Sequence, residues 1–403
     1  MSGPAETKAL RQLVFEHVRA SGRAARADVV RALGISAGSV TTLTSDLIAQ
    51  GHLREVTDAP RDRLEIGRGR PPVALEVVGE SQAVIGIKLS DERHTAVLAD
   101  FAGTIRAHAA VPAETGRKSM TAMLGEIARL IERLLKEANL TLADIAAAGI
   151  GMPGMIDHHA GTVPWSPVLT RRNLALAEAF EERFGVPAYL DNDANMLTLA
   201  ELWFGAGRST ADFLVVTIEG GVGMGAVIGG KLWRGTRGMG LELGHTKIQI
   251  DGALCRCGKR GCLEAYVADY ALAREARTAL GMSTRDPVDV HRLLADLFAE
   301  AKAGNAAARS IFDRAGRILS LGLSNIVQIF DPELLILSGE RMQYDYLYAD
   351  AVLAGMHEQV LDSGRSPADV QIHAWGDLVW ARGATALALD KVTDRALGAA
   401  AAA

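Results

Sequence analysis

The chain has 403 residues and only three cysteines, and none has an obvious disulfide partner. This fits a reducing compartment and excludes a disulfide-stapled fold. No apolar run is long enough to span a bilayer. The opening MSGPAETKALRQLVFEH is charged early and carries no apolar h-region, so neither a secretory signal nor a membrane partner is expected, and the expected location is the cytoplasm. Hydrophobic residues make up 49% of the chain, which excludes disorder as its main state. At this length two or three domains with ample core are expected.

The three cysteines are not scattered. They fall in Cys255-Arg-Cys257-Gly-Lys-Arg-Gly-Cys262, and His245 lies ten residues upstream of the first. Core thiols have no reason to cluster among Gly, Lys and Arg. Three thiolates and one imidazole make a closed tetrahedral set, which predicts one structural zinc per chain held by His245, Cys255, Cys257 and Cys262. Glu242 precedes the histidine and Glu264 follows the last cysteine, so carboxylates are held near the metal.

The net charge of −5 is unevenly spread. Residues 1–72 hold eleven Lys/Arg and eight Asp/Glu, whereas the remainder holds 32 and 40. A basic end on an acidic body points weakly to nucleic acid. Apolar spacing at Leu10, Leu13, Val14 and Val18 predicts a helix over 6–21. A second is expected over 27–33, with Val29, Val30 and Leu33 inward. A third is expected over 37–50, with Val40, Leu43 and Leu47 buried. Gly34-Ile35-Ser36 forms the turn between the last two, with Ser36 as N-cap, and strands over 51–56 and 73–77 add a wing. Ser36, Ser39, Thr41 and Thr42 are candidate DNA contacts on the third helix. Arg68 and Arg70, alternating with glycine before Pro71-Pro72, are candidate minor-groove contacts.

From residue 83 the texture becomes α/β. Strands are expected at 84–89, 95–99, 145–150, 187–190 and 213–218, with helices over 119–138 and 174–184 and a helical stretch across 268–330. The strand at 187–190 delivers Asp191-Asn192-Asp193-Ala194-Asn195 to its C-terminal end, where open α/β folds bind ligands. A Gly-rich turn is expected across 219–225.

Five strings carry a resemblance: GMPGMID at 151–157, DNDAN at 191–195, GGVGMG at 220–225, ELGH at 242–245 and CRCGKRGCLEAY at 255–266. The segment from about 83 to 390 resembles the ROK family, which groups sugar-responsive repressors with sugar kinases. The resemblance implies an actin-like, hexokinase-like (ribonuclease H-like) pair of α/β lobes behind the winged helix-turn-helix. The implied domains are 1–80 for DNA and 81–403 for sugar, the latter as lobes of about 81–195 plus the C-terminal helix and 196–380. It further implies a sugar shell of Gly154, Asn173, Asn192, Asp193, Glu242, His245 and Glu264, with His245 shared between zinc and sugar. In family kinases the residue matching Asp193 is the general base.

Three departures separate this chain from those kinases. The phosphate-cradling D-x-G-G-T turn reads Ile87-Lys88-Leu89-Ser90-Asp91-Glu92. The second loop, G-T-G-V-G, reads Glu219-Gly-Gly-Val-Gly223. The late glycine loop reads Leu337-Ser338-Gly339-Glu340-Arg341. Carboxylates stand where phosphate should sit, and phosphoryl transfer depends on positioning and charge. The expected function is therefore a non-enzymatic, sugar-responsive repressor. Its expected partners are operator DNA, a neutral sugar and further copies of itself as a homodimer or homotetramer. The readings weighed against it are a sugar kinase, a regulator sequestered by a protein, and a zinc sensor.

Overall fold

A computed structural model of the chain describes residues 9–57, 73–282, 289–343, 350–361, 364 and 368–398. By contact the chain divides into two compact units, Met1–Asn192 with Trp380–Ala403 and Asp193–Val379.

The first unit begins with the helices α1 (Leu10–Ser21), α2 (Arg26–Leu33) and α3 (Ala37–Ala49). A three-stranded sheet completes this head. Its strands are β1 (Ala24–Ala25), β2 (Leu53–Val56) and β3 (Ala74–Val77), with β3 in the middle. The wing is thus the antiparallel pair β2–β3. The two-residue β1, too short and alanine-rich for any periodicity, was not expected. Ser36 caps α3 as expected, its Oγ accepting from the Ser39 N–H at 3.1 Å.

Two buried faces differ from expectation. On α1 Leu10 is 51% exposed, while Gln12, Val14, Phe15, Val18 and Arg19 are buried. The stripe is rotated because α1 packs on a surface beyond its own three-helix module. On α3 Leu43 is only half-buried and Thr44 is fully buried, accepting a hydrogen bond from Arg26 Nε at 3.0 Å.

The body of this unit is a five-stranded sheet in the order β10-β7-β4-β5-β6. Its strands are β4 (Ala83–Lys88), β5 (Arg93–Asp100), β6 (Ile105–Pro112), β7 (Ile145–Met152) and β10 (Ala188–Asn192). A small hairpin, β8 (Met155–Asp157) with β9 (Thr162–Trp165), leaves the end of β7. Helices α4 (Met120–Ala138) and α5 (Leu176–Phe184) contribute Ile127, Leu130, Leu134 and Phe180 to its core. Strand β6 was not expected.

The second unit repeats the plan. Its strands are β11 (Phe213–Ile218), β12 (Val222–Ile228), β13 (Lys231–Trp233), β14 (Leu334–Ser338) and β15 (Asp369–His373), in the order β13-β12-β11-β14-β15. In each unit an antiparallel three-strand meander is extended by two parallel strands. This duplication is the architecture that the family resemblance implied. The expected Gly-rich turn is shorter than predicted: it spans only Glu219–Gly221, and Val222 already pairs with Ile218. The helices are α6 (Asp193–Phe204), α7 (Glu264–Val267), α8 (Asp269–Ala279), α9 (Val290–Lys302), α10 (Ala306–Phe330) and α11 (Asp350–Gln359). Leu293, Leu297, Leu319 and Leu323 of the expected helical stretch lie in the core.

The last helix, α12 (Leu378–Leu397), packs against the first unit's sheet at unusually close range. A Cβ on Gly149 of β7 would lie 2.8 Å from the Ala384 carbonyl carbon. One on Gly86 of β4 would lie 2.5 Å from the Thr385 nitrogen. Only glycine lets a helix backbone come so near the strands. The far end of α12 receives α1. Arg11 donates to the Leu397 carbonyl at 3.2 Å, Gln12 to Asp394 at 2.6 Å and Arg19 to Thr393 Oγ1 at 2.8 Å. The Phe15 ring stacks on Phe101, just past β5, at 4.9 Å, with His52 beside both.

Candidate functional site

The metal cluster is built by short-range turns. His245 ends a single helical turn, Leu243–His245. The Cys255 N–H donates to the Lys259 carbonyl, and the Gly258 N–H to the Cys255 carbonyl, which folds the cysteine knuckle back on itself. Cys262 stands two residues before α7. The result brings one ligand atom from each of His245, Cys255, Cys257 and Cys262 within 4.8 Å of the others. Cys257 Sγ to Cys262 Sγ is 3.7 Å, and Cys255 Sγ to His245 Nδ1 is 3.7 Å. A tetrahedral ion with bonds of about 2.3 Å to sulfur has ligand–ligand edges of about 3.8 Å. The ligand types and spacing of the four residues therefore fit a tetrahedral metal. Lys247 Nζ lies 2.7 Å from Cys262 Sγ and offsets thiolate charge. In the metal-free chain, burial pushes the Cys255 thiol up to about 12. A cation would remove that proton outright.

With Nδ1 facing the thiols, His245 turns Nε2 toward Glu242, 4.0 Å from its Oε2. Partial burial, opposed by His245 and reinforced by Asp193 and Glu264, raises the Glu242 carboxyl above its ordinary range. Asp193, Glu242 and Glu264 thus form one acidic group beside His245 in the second unit. Glu264 is held at both oxygens. Oε2 accepts from the Val222 N–H at 3.3 Å, and Oε1 faces Cys255 Sγ at 3.6 Å and Tyr270 Oη at 3.4 Å. Asp193 opens α6, its Oδ1 accepting from the Ala194 N–H.

The remaining expected shell residues belong to the first unit. Parallel pairing of β7 and β10 sets Asn192 beside Met152, so the two motif loops leave adjacent strand ends. Asn173 holds φ 53° and donates its N–H to the Pro164 carbonyl. Gly154, at φ 124°, closes on the next residue of that strand. A Cβ there would overlap the Trp165 carbonyl and sit 2.8 Å from Ser166 Cα. The chain itself therefore requires glycine at this position.

On the head, Ser36, Ser39, Thr41 and Thr42 are exposed along the first turns of α3. Thr41 Oγ1 donates to the Ala37 carbonyl, which leaves its lone pairs outward. Arg68 and Arg70 lie outside the described residues.

The ROK family model matches residues 84–391. The chain belongs to the ROK family. A xylose repressor of Caldicellulosiruptor bescii is 28% identical over 81% of both chains. The DNA-binding transcriptional dual regulator NagC of Escherichia coli is 27% identical over 88% of this chain and 86% of its own. A crystal structure of a ROK family transcriptional regulator, homologous to the E. coli MLC protein, matches with a TM-score of 0.77. It covers 96% of each chain at 23% identity, and it supports the fold. A glucokinase of Thermotoga maritima is 36% identical over 51% of this chain and 68% of its own.

Both kinds of ROK protein are thus similar to this chain, and the phosphate loops bear on the choice. At the end of β4 the Lys88 ammonium lies 3.8 Å over the Trp380 ring. The Ser90 N–H donates to His94 Nδ1 at 3.2 Å, and Ser90 Oγ closes the turn onto Arg93. His94 is buried with Glu126, to which its other nitrogen donates. In the second unit the Glu219 carbonyl accepts from the Asp269 N–H. Arg341, just beyond Gly339, is 3% exposed and grips Asp269 with both nitrogens at 2.9–3.0 Å. A Cβ on Gly339 would lie 3.0 Å from Glu219 Oε1, so this carboxylate crowds the late loop. Sequence reasoning noted Arg341 and Glu219 as departures but missed Asp269, Tyr270, Lys247 and Glu201. Glu201 is fully buried and accepts from Trp375 Nε1 at 2.6 Å and Ser338 Oγ at 3.1 Å. Acidic residues on helices carry no sequence signal of such pairing.

Proposed function

We propose that this ROK protein is a sugar-responsive, DNA-binding transcriptional regulator, acting in the cytoplasm as a repressor of carbohydrate-metabolism genes and not as an enzyme. The observation that carries the reading is a contrast. Asp193, Glu242 and Glu264 stand together beside the metal cluster, while the groups at the positions of the family kinases' phosphate loops are spent on internal partners: the Ser90 N–H on His94, Arg341 on Asp269. A base such as Asp193 without bound ATP transfers nothing.

The metal is zinc in this reading, one ion per chain on His245, Cys255, Cys257 and Cys262. When bound, zinc holds the His245 ring in one orientation and tautomer. Nε2 then offers a fixed hydrogen-bonding atom toward Glu242. In this reading Asn192, Asp193, Glu242, His245 and Glu264 bind sugar hydroxyls, with Gly154 and Asn173 as further sugar contacts. This acidic set suits a neutral sugar and repels a phosphosugar. The head reads DNA through Ser36, Ser39, Thr41 and Thr42, and through Arg68 and Arg70. A symmetric dimer or tetramer presents paired heads to a palindromic operator. Sugar that prefers one arrangement of the chain shifts its population and with it the affinity for operator. The α1 contacts to Thr393, Asp394 and Leu397 give the head a fixed seat on α12.

The test is an electrophoretic mobility shift on the operator with xylose, glucose and N-acetylglucosamine. The expected result is a shift in DNA affinity with one of them, and no response to any neutral sugar sinks the ligand model. Arg68→Ala with Arg70→Ala is expected to weaken binding and flatten its salt dependence. The retained Asp193 keeps a kinase as the second reading. A coupled ADP-release assay is expected to give no turnover, and turnover with any of these sugars reverses the choice.

A further inference from the structure

Tyr270, the second residue of α8, faces both the metal cluster and the acidic shell. Its Oη lies 3.4 Å from Glu264 Oε1 and 3.6 Å from Cys255 Sγ, and these two atoms are 3.6 Å from each other. The three atoms form a near-equilateral triangle with few protons to share. In the metal-free chain the Cys255 thiol can donate to Glu264. With an ion bound, Cys255 is a thiolate and has no proton to give. A thiolate and a carboxylate then face each other, and of the three groups the Tyr270 hydroxyl is the only one with a hydrogen. The Arg256 guanidinium lies 4.1 Å over the Tyr270 ring, which fixes the ring from its other side and adds positive charge beside the anions. Glu264 Oε2 is already bound to the Val222 N–H, so the Tyr270 contact sets the remaining rotation of the carboxylate.

We propose that Tyr270 is a positioning residue: its hydroxyl proton, shared between the Cys255 thiolate and the Glu264 carboxylate, fixes the carboxylate for the sugar and ties its orientation to the metal. The inference rests on the sugar-shell reading of Glu264. It also explains why metal and ligand sites lie so close together.

The experiment compares Tyr270→Phe and Glu264→Gln with the parent full-length protein, each in its zinc and cobalt(II) forms. Three quantities are measured: metal content, the thiolate-to-cobalt charge-transfer band, and affinity for the three neutral sugars by calorimetry. Tyr270→Phe keeps the ring and the Arg256 stack. It is expected to retain one ion per chain, to shift the charge-transfer band because Cys255 loses a donor, and to weaken the responding sugar about five- to tenfold. In the double variant with Glu264→Gln the two losses are expected not to add. A parent that binds no sugar overturns the pocket reading, and Tyr270's role with it. Affinity lowered by Glu264→Gln but untouched by Tyr270→Phe overturns Tyr270 alone. A cobalt band that does not move in Tyr270→Phe overturns the link to Cys255.

Discussion

Gly149→Ala tests how tightly the closing helix is held. The added methyl would lie 2.8 Å from the Ala384 carbonyl carbon and 3.3 Å from its Cα, and would overlap the carbonyl oxygen itself. Carbon–carbon contacts settle at about 3.5–4.0 Å, so α12 must retreat by about 1 Å. The neighbour is helix backbone, which cannot swing aside as a flexible side chain would. The cost therefore falls at the upper end for overpacking, about 3 kcal/mol. With a urea slope of about 2–3 kcal/mol per molar, the unfolding midpoint of the first unit drops by about 1 M. Gly125→Ala is the control. It lies on α4 with nothing within 4 Å of the new methyl, and it should gain about 0.5–1 kcal/mol. A displacement of this size also strains the bonds of 2.6–3.2 Å that join α1 to the far end of α12, so operator affinity is expected to fall severalfold. Urea unfolding followed by circular dichroism gives the first number and a mobility shift the second. A Gly149→Ala protein as stable as its parent, with unchanged DNA affinity, refutes both the close packing and the seat.

Three further outcomes are expected. Mass spectrometry of the native protein should find one zinc per chain, and His245→Ala or chelation should remove it and lower the melting temperature. Arg341→Met alone should cost about 3–5 kcal/mol by stranding the buried Asp269. Arg341→Met with Asp269→Leu should restore most of that, read as melting temperature. Acid should destabilise the first unit. Burial lowers the pKa of His52, helped by Arg11. It lowers that of His94 as well, where Glu126 opposes it and Lys118 and Arg129 assist. Both folded-state values lie below the ordinary 6.5, so the unfolded chain takes up protons first. Stability held at neutral pH is then lost as pH falls below about 6.5. His52→Phe should flatten part of that loss in melts across pH 7.5 to 5.

The parts legible in sequence were those governed by period and by ligand chemistry. Helix α4 shows its stripe of Met123, Ile127, Leu130, Ile131 and Leu134, and each of these is buried. The cysteine knuckle could be read because thiol spacing has few other causes. Faces set by a second partner were hidden. Leu10 and Phe15 have similar hydrophobicity, and only the presence of α12 and Phe101 decides which is buried. Polar pairing across long separations was hidden for the same reason. Arg341 finds Asp269 from 72 residues away, and nothing local to either residue announces the other. Gly154 was expected in the sugar shell, and the second reason for glycine there, the close approach of Trp165 and Ser166, had no sequence signal.

The position of α12 in the chain has a consequence for synthesis. The helix that covers the first sheet, and on which the DNA-reading head sits, comprises residues 378–397 of 403. Those residues leave the ribosome after α1 and β4–β10 have emerged. Until α12 emerges, the first unit is a sheet without its covering helix, and α1 has no seat. A newly made chain therefore passes through a stage in which α1 has emerged but its contacts with Thr393, Asp394 and Leu397 have not formed. A chain truncated after residue 377 stays in that state permanently.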